Sequence, residues 1–210
     1  MRDLPPWAAG IVSRETYADL KSFEELVRRW SPKINLVSAK DLPNLWGRHI
    51  LDSVQVWKYK CSGRVWADLG SGGGLPAIPL AIIAKREAPD VEFILVESDQ
   101  RKCAFLATAI RHLDINASVK RERIESLQSL QASVVTARAL SDLSNLLSWS
   151  HHHMSPNGRA FFMKGASWEP ELDRAQLGWR FRFEVHKSFT NADAVILEIE
   201  DIELARSDPH

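Results

Sequence analysis

The chain has 210 residues, and its 27 Lys+Arg are balanced by 27 Asp+Glu. That length holds one α/β domain with a modest extension, and a net charge of zero excludes a strong global field for nucleic acid. Two cysteines, Cys61 and Cys103, are too few for a disulfide framework or a zinc site, no apolar run approaches a membrane span, and no signal-peptide pattern opens the chain, so a cytoplasmic protein with no metal and no membrane partner is expected.

Charge is unevenly distributed. Residues 1–63 carry 10 Lys+Arg against 7 Asp+Glu, while residues 151–210 carry 7 against 10. The front end suits phosphates better, although a solvated surface explains the same bias. From Ser13 to Trp30 apolar residues recur at helical spacing, and Ser31-Pro32 is expected to end that helix. A second helical pattern runs from about Asp41 to Tyr59, with His49 and Asp52 three apart as a polar pair, and Ser62-Gly63 then breaks the chain. Residues 1–60 thus read as a helical extension on a core of residues 61–210.

Val65 to Ile82 carries the most information. A short apolar run reaches Asp68, breaks into Gly70, Gly72, Gly73 and Gly74, and resumes as an apolar helix. This is the strand, turn and helix start from which α/β proteins bind nucleotide-like ligands. Gly72, Gly74 and Ala77 satisfy a dinucleotide spacing, but Asp68 intervenes before the first glycine. A phosphate-binding turn wants N–H groups and no carboxylate, whereas a cationic ligand such as S-adenosylmethionine favours one. Pro76 and Pro79 fall in the first helical turn, where a missing N–H costs little.

Beyond that turn strands and helices alternate. Strands are expected at Arg64–Leu69, Glu92–Glu97, Ser118–Arg121, Ser133–Ala137 and Arg159–Lys164, and helices at Pro76–Lys85, Gln100–Leu113, Ile124–Leu130 and Leu140–His153. A last helix near Glu169–Gly178 precedes two strand patterns, Phe181–Phe189 and Ala194–Glu200. The pattern predicts an α/β fold with a mostly parallel sheet, helices on both faces and a closing antiparallel hairpin.

Several side chains then fall at the carboxyl ends of strands, where such sheets place ligands. Glu97 can accept both ribose hydroxyls of an adenosine, or be a solvated strand-end acid. Glu125 can take an adenine amino group beside the Ile124 backbone, or be an ordinary acid at a helix start. Arg138 can hold the methionine carboxylate, a substrate phosphate or a guanine edge, or pair with Asp68 or Glu97. Lys164, ahead of Gly165, can point into the same crevice. His151, His152 and His153 point about 100° apart around a helix and make no single ligand face.

Asn35-Leu36-Val37-Ser38, His49-Ile50-Leu51-Asp52-Ser53, Asp68-Leu69-Gly70-Ser71-Gly72-Gly73-Gly74-Leu75-Pro76, Glu97-Ser98 with Arg101-Lys102, Arg138-Ala139 and Lys164-Gly165 occur in this order. In that order they resemble the glucose-inhibited division protein B family, bacterial methyltransferases that modify a guanine N7 of 16S ribosomal RNA. The likeness covers roughly residues 15–200. It implies a Rossmann-like methyltransferase fold with a seven-stranded sheet and S-adenosyl-L-methionine as donor. Cofactor contacts are then expected at Asp68, Gly70, Gly72, Leu75, Ile124, Glu125 and Arg138, with Glu97 on the ribose. Ala77 and Ser133 depart from residues common in that family, a glycine and an aspartate.

The substrate implied is 16S ribosomal RNA in the small ribosomal subunit or an assembly intermediate, met by a monomer. Guanine N7 has a free lone pair and no proton, so transfer needs placement rather than a base. Arg138 and Lys164 are expected to orient the guanine, and Arg101, Arg123 and Lys164 to hold RNA phosphates. Competing readings are a methyltransferase for a small molecule or protein, an NAD-dependent dehydrogenase, and a non-catalytic binding module.

Overall fold

The computed structural model describes residues 4–59 and 63–205. Cys61, Ser62 and the expected boundary between residues 60 and 61 lie outside the described residues. The described residues form one seven-stranded sheet in the order β3-β2-β1-β4-β5-β7-β6. Its strands are β1 (Val65–Leu69), β2 (Glu92–Val96), β3 (Ala117–Lys120), β4 (Ala132–Arg138), β5 (Met154–Lys164), β6 (Trp179–Lys187) and β7 (Val195–Leu204). Strands β1 to β5 pair in parallel, and β7 runs antiparallel between β5 and β6. The Rossmann-like fold and its closing hairpin therefore stand as the sequence predicts.

The helices are α1 (Arg14–Ile34), α2 (Asp52–Val54), α3 (Ala77–Glu87), α4 (Gln100–Leu113), α5 (Leu143–His153) and α6 (Trp168–Gln176). Alternation along the strands sends Trp66, Phe93, Leu95 and Val134 to one face, against Leu20 and Phe23 of α1, α3 and α4. Ala67, Leu69, Val96 and Val135 face the opposite way, against α5 and α6. Residues from Ala8 to Trp57 thus share a core with the sheet.

Three expectations are corrected. Helix α1 runs through Pro32 to Ile34, because the proline lies in the last turn and Asn35 closes it in a left-handed conformation (φ 52°). The single helix expected over 41–59 is a chain of tight turns, with a π-turn at Trp46–Leu51 between 3-10 turns at Leu42–Asn44 and Gln55–Tyr59. Pro43 and Gly47 weaken a regular α ladder there. The helix expected at Ile124–Leu130 is only a 3-10 turn, Ile124–Ser126. From Leu127 the chain must extend to reach β4, and it does so through Gln131 at φ 48°.

Candidate active site

The order of strands reverses between β1 and β4, and the crevice beyond their carboxyl ends opens there. The glycine turn after β1 forms its floor. Gly70 has φ 66°, and a Cβ on it would lie 2.4 Å from Leu140 Cδ1, so only glycine fits. Ala139, itself at φ 50°, swings the chain off β4 and brings Leu140 over that glycine. The turn is tied to its neighbours by backbone groups. Ser71 N–H donates to the Val96 carbonyl (3.0 Å), and Gly72 N–H to Glu97 Oε2 (3.0 Å).

Glu97 sits just past β2 and also accepts from Asp99 N–H through Oε1 (2.8 Å). Each oxygen keeps a further lone pair for a ligand hydroxyl. Asp99 caps α4, accepting from the N–H groups of Arg101 (2.8 Å) and Lys102 (3.0 Å). The far wall is the stretch from Glu122 to Glu125. Histidines of the last α5 turn pin that wall: His153 Nε2 donates to the Ile124 carbonyl (3.0 Å) and His152 Nε2 to the Leu127 carbonyl (3.1 Å). His152 and His153 thus clamp this wall, while His151 Nδ1 donates to the Ile202 carbonyl of β7 (2.9 Å).

The cleft so formed measures about 430 Å³, within the range of small-molecule sites. Gly70, Gly72, Leu75, Glu97, Arg123, Ile124, Glu125 and Arg138 all line it. Asp68 does not. It lies beneath the turn, 1% exposed, with Oδ1 accepting from Thr136 Oγ1 (2.6 Å) and Oδ2 without a hydrogen-bond partner among the described residues. Burial pushes its carboxyl up to about 6, against the pull of the Thr136 hydrogen bond, while Ser71 Oγ donates to the Asp68 backbone carbonyl (3.0 Å). Asp68 is therefore a buried acid behind the wall of the cleft.

A second cleft of about 550 Å³ adjoins the first, sharing His49, Arg138 and Ala139 with it. Arg138 stands at the partition. Its pairing to Asp68 or Glu97, one of the expected alternatives, is replaced by an ion pair of Nη1 with Asp52 (3.5 Å), while Nη2 donates to the Arg48 carbonyl (3.3 Å) and to His49 Nδ1. Burial draws the guanidinium down from its ordinary value. The expected His49–Asp52 pair is thus bridged by Arg138. Accepting at Nδ1 makes His49 the Nε2–H tautomer. Burial, with Arg138 beside it, holds its imidazole at about 4, so the ring is neutral at pH 7.

Two residues expected on RNA phosphates, Lys164 and Arg101, lie apart from the first cleft. Lys164 lines the second cleft, but its ammonium is engaged by Glu171 Oε2 (2.6 Å) and the Ser141 carbonyl (2.9 Å), with the side chain 9% exposed. Arg101 is exposed on the first turn of α4, outside both clefts. Sequence reasoning assigned no ligand role to Leu36, Lys102 and Trp149 in the first cleft, or to Asp41, Arg48 and Thr190 in the second. The dense polar run around His49 was the available signal. Glu184, His186 and Glu198 bring ligand atoms within 4.8 Å of one another on the β6–β7 hairpin. Glu198 is already engaged there by Arg159 (2.6 Å) and His186 (2.8 Å).

Residues 16–199 match the family described as rRNA small subunit methyltransferase G, GidB. A ribosomal RNA small subunit methyltransferase G of Ruegeria sp. (strain TM1040) is 49% identical over 192 residues, covering 91% of this chain and 94% of that protein. Its namesake in Paracoccus denitrificans (strain Pd 1222) is 46% identical over 190 residues, 90% and 96% of the two chains. Among solved structures, a SAM-dependent methyltransferase from Aquifex aeolicus superposes with a TM-score of 0.58 at 13% identity, covering 86% of this chain and 96% of its own. The glycopeptide N-methyltransferase MtfA, complexed with S-adenosyl-L-methionine, gives 0.58 at 10% identity over 72% and 93%. These two likenesses concern the fold.

Proposed function

This chain belongs to the rRNA small subunit methyltransferase G family, and we propose that it moves a methyl group from S-adenosylmethionine to N7 of a guanine in 16S ribosomal RNA. The observation that carries the reading is the pair of adjoining clefts divided by Arg138 and His49. One suits the donor and the other the acceptor base.

The first cleft fits S-adenosylmethionine in its donor set. Glu97 offers paired oxygens for ribose hydroxyls, and the Ile124 backbone with Glu125 offers the adenine its partners. The turn from Gly70 to Leu75 holds the amino-acid end. The buried Asp68 oxygen, unpaired among the described residues, favours a cationic ligand over a phosphate. The bound donor supplies an electrophilic methyl group on a sulfonium.

The second cleft receives the guanine. Attack by N7 needs no proton removed, and His49, neutral and with its proton on an Nε2 that has no hydrogen-bond partner among the described residues, is not required as a base. What the residues supply is position. Arg138 is held by Asp52, His49 and the Arg48 carbonyl, so its direction is fixed before substrate arrives. Asp41 and Asp52 offset the charges of Arg48 and Arg138, so the chamber does not oppose a product base that becomes cationic. Lys164, tied to Glu171, braces α6 against β5 in this reading.

N7 is a major-groove atom, and an A-form major groove is too narrow for side chains. The target is therefore a guanine in a loop or in RNA held open by ribosomal proteins. The chain acts as a cytoplasmic monomer in this reading; among the described residues no helix is long and apolar enough to cross a membrane. The test is transfer of labelled methyl groups to unmethylated small subunits, their naked RNA, their proteins and a small-molecule extract. Label in RNA alone is expected, and label in protein or small molecules alone would move the assignment to another methyltransferase class.

A further inference from the structure

The second cleft continues into a third of about 560 Å³, whose lining includes Trp7, Asn44, Arg48, Leu51, Phe189 and Thr190. Arg48 and Thr190 line both, so the three clefts make one trough leading away from the glycine turn. At its far end Phe189 is 45% exposed, an unusual position for so large an apolar ring. Yet the ring is fixed. Trp7 stacks on it with centroids 5.2 Å apart and planes 21° apart, and Lys58 Nζ lies 4.2 Å from its centre. The Phe189 N–H donates to Gln55 Oε1 (2.8 Å), and Gln55 in turn donates to Asp52 Oδ1 (2.7 Å) beside Arg138.

A preset aromatic wall flanked by cations is the arrangement that single-stranded nucleic acid uses, since every base has a stackable face and every nucleotide a phosphate. Resting on the RNA reading above, we propose that this pocket holds a nucleobase flanking the target guanine. The base packs on the Trp7–Phe189 wall, and the phosphates beside it meet Lys58 and Arg48. Arg48 is 60% exposed and 3.5 Å from Asp41, so its charge reaches solvent. A guanine turned out of its strand leaves its neighbours unstacked, and the pocket restores one of those stacks. An apolar protein side chain would use the wall and draw nothing from Lys58 or from the solvent-facing charge of Arg48.

The experiment compares wild-type protein with Phe189→Ala and Phe189→Tyr on unmethylated small subunits and on naked 16S RNA. KM for subunits, Kd for naked RNA and Kd for S-adenosylmethionine are measured. Phe189→Ala should weaken both RNA constants on the order of tenfold, leave cofactor affinity unchanged and keep kcat, while Phe189→Tyr restores RNA affinity. Unchanged RNA constants with cofactor binding intact would overturn the proposal. So would a loss seen on subunits and absent on naked RNA, which would assign the pocket to a ribosomal protein. Failure of the wild type itself to bind or methylate RNA would instead sink the RNA reading, and the pocket's assignment with it.

Discussion

Asp68 and His49 are both buried against their ordinary ionisation, and they pull stability in opposite directions. The Asp68 carboxyl rises from 3.8 to about 6. Between those values the native state holds a proton that the unfolded chain has lost, so stability falls as pH rises, by about 3 kcal/mol in all. The His49 imidazole drops from 6.5 to about 4, so there the unfolded chain holds the extra proton and stability rises with pH. The two slopes oppose each other across pH 4–6. Asp68→Asn removes the first, leaving a variant whose stability in urea rises from pH 4 to 6.5. At pH 7 the variant should be about 1 kcal/mol more stable than wild type, the relieved charge offsetting an unpaired amide. Its affinity for S-adenosylmethionine should fall, since the acid behind the turn is gone. A variant less stable at pH 7 would contradict this account. Glu97→Ala is the complementary change: removing the carboxylate proposed for the ribose should weaken cofactor binding at least tenfold by calorimetry, and orphaning the Gly72 and Asp99 N–H groups should cost about 1–3 kcal/mol of stability.

At the scale of elements, the wall from Glu122 to Glu125 depends on α5. His153 is buried, which draws its imidazole below the ordinary value, and its Nε2–H satisfies the Ile124 carbonyl. His153→Phe should cost about 1–3 kcal/mol through that orphaned carbonyl and raise the Kd of S-adenosylmethionine, with RNA affinity unmoved. Loss of RNA affinity with intact cofactor binding would place the clamp elsewhere. The parallel strands, α3, α4 and the glycine turn were legible in the sequence because each pairs one clear period with a turn signal at its end. Residues 41–59 were not, because 3-10, α and π turns share nearly the same apolar spacing, and only their hydrogen bonds differ. Ile124–Leu130 misled for the converse reason. Its apolar residues recur at helical spacing, but they pack under a segment that tertiary contacts from His152 and His153 hold extended. The partner of Lys164 was not legible, because Glu171 comes from a separate helix and no local pattern announces the pairing.

Across the whole molecule, balanced charge leaves RNA affinity to local cations. Arg123 is exposed at the rim of the first cleft, so Arg123→Ala should lower the salt slope of RNA binding by about one. Lys164→Ala should leave that slope unchanged and instead cost about 3 kcal/mol, since it strands the carboxylate of Glu171. Filter binding over a salt series and thermal melts separate the two. The central claim is narrower than RNA affinity: the trough presents a guanine so that N7 alone meets the methyl group. The measurement that tests it most directly is chemical strand scission at N7-methylguanine in small-subunit 16S RNA, after incubation with the protein and S-adenosylmethionine. One new cleavage, at a single guanine and dependent on the cofactor, is the predicted result. Methyl groups incorporated into the RNA with no such cleavage would contradict it.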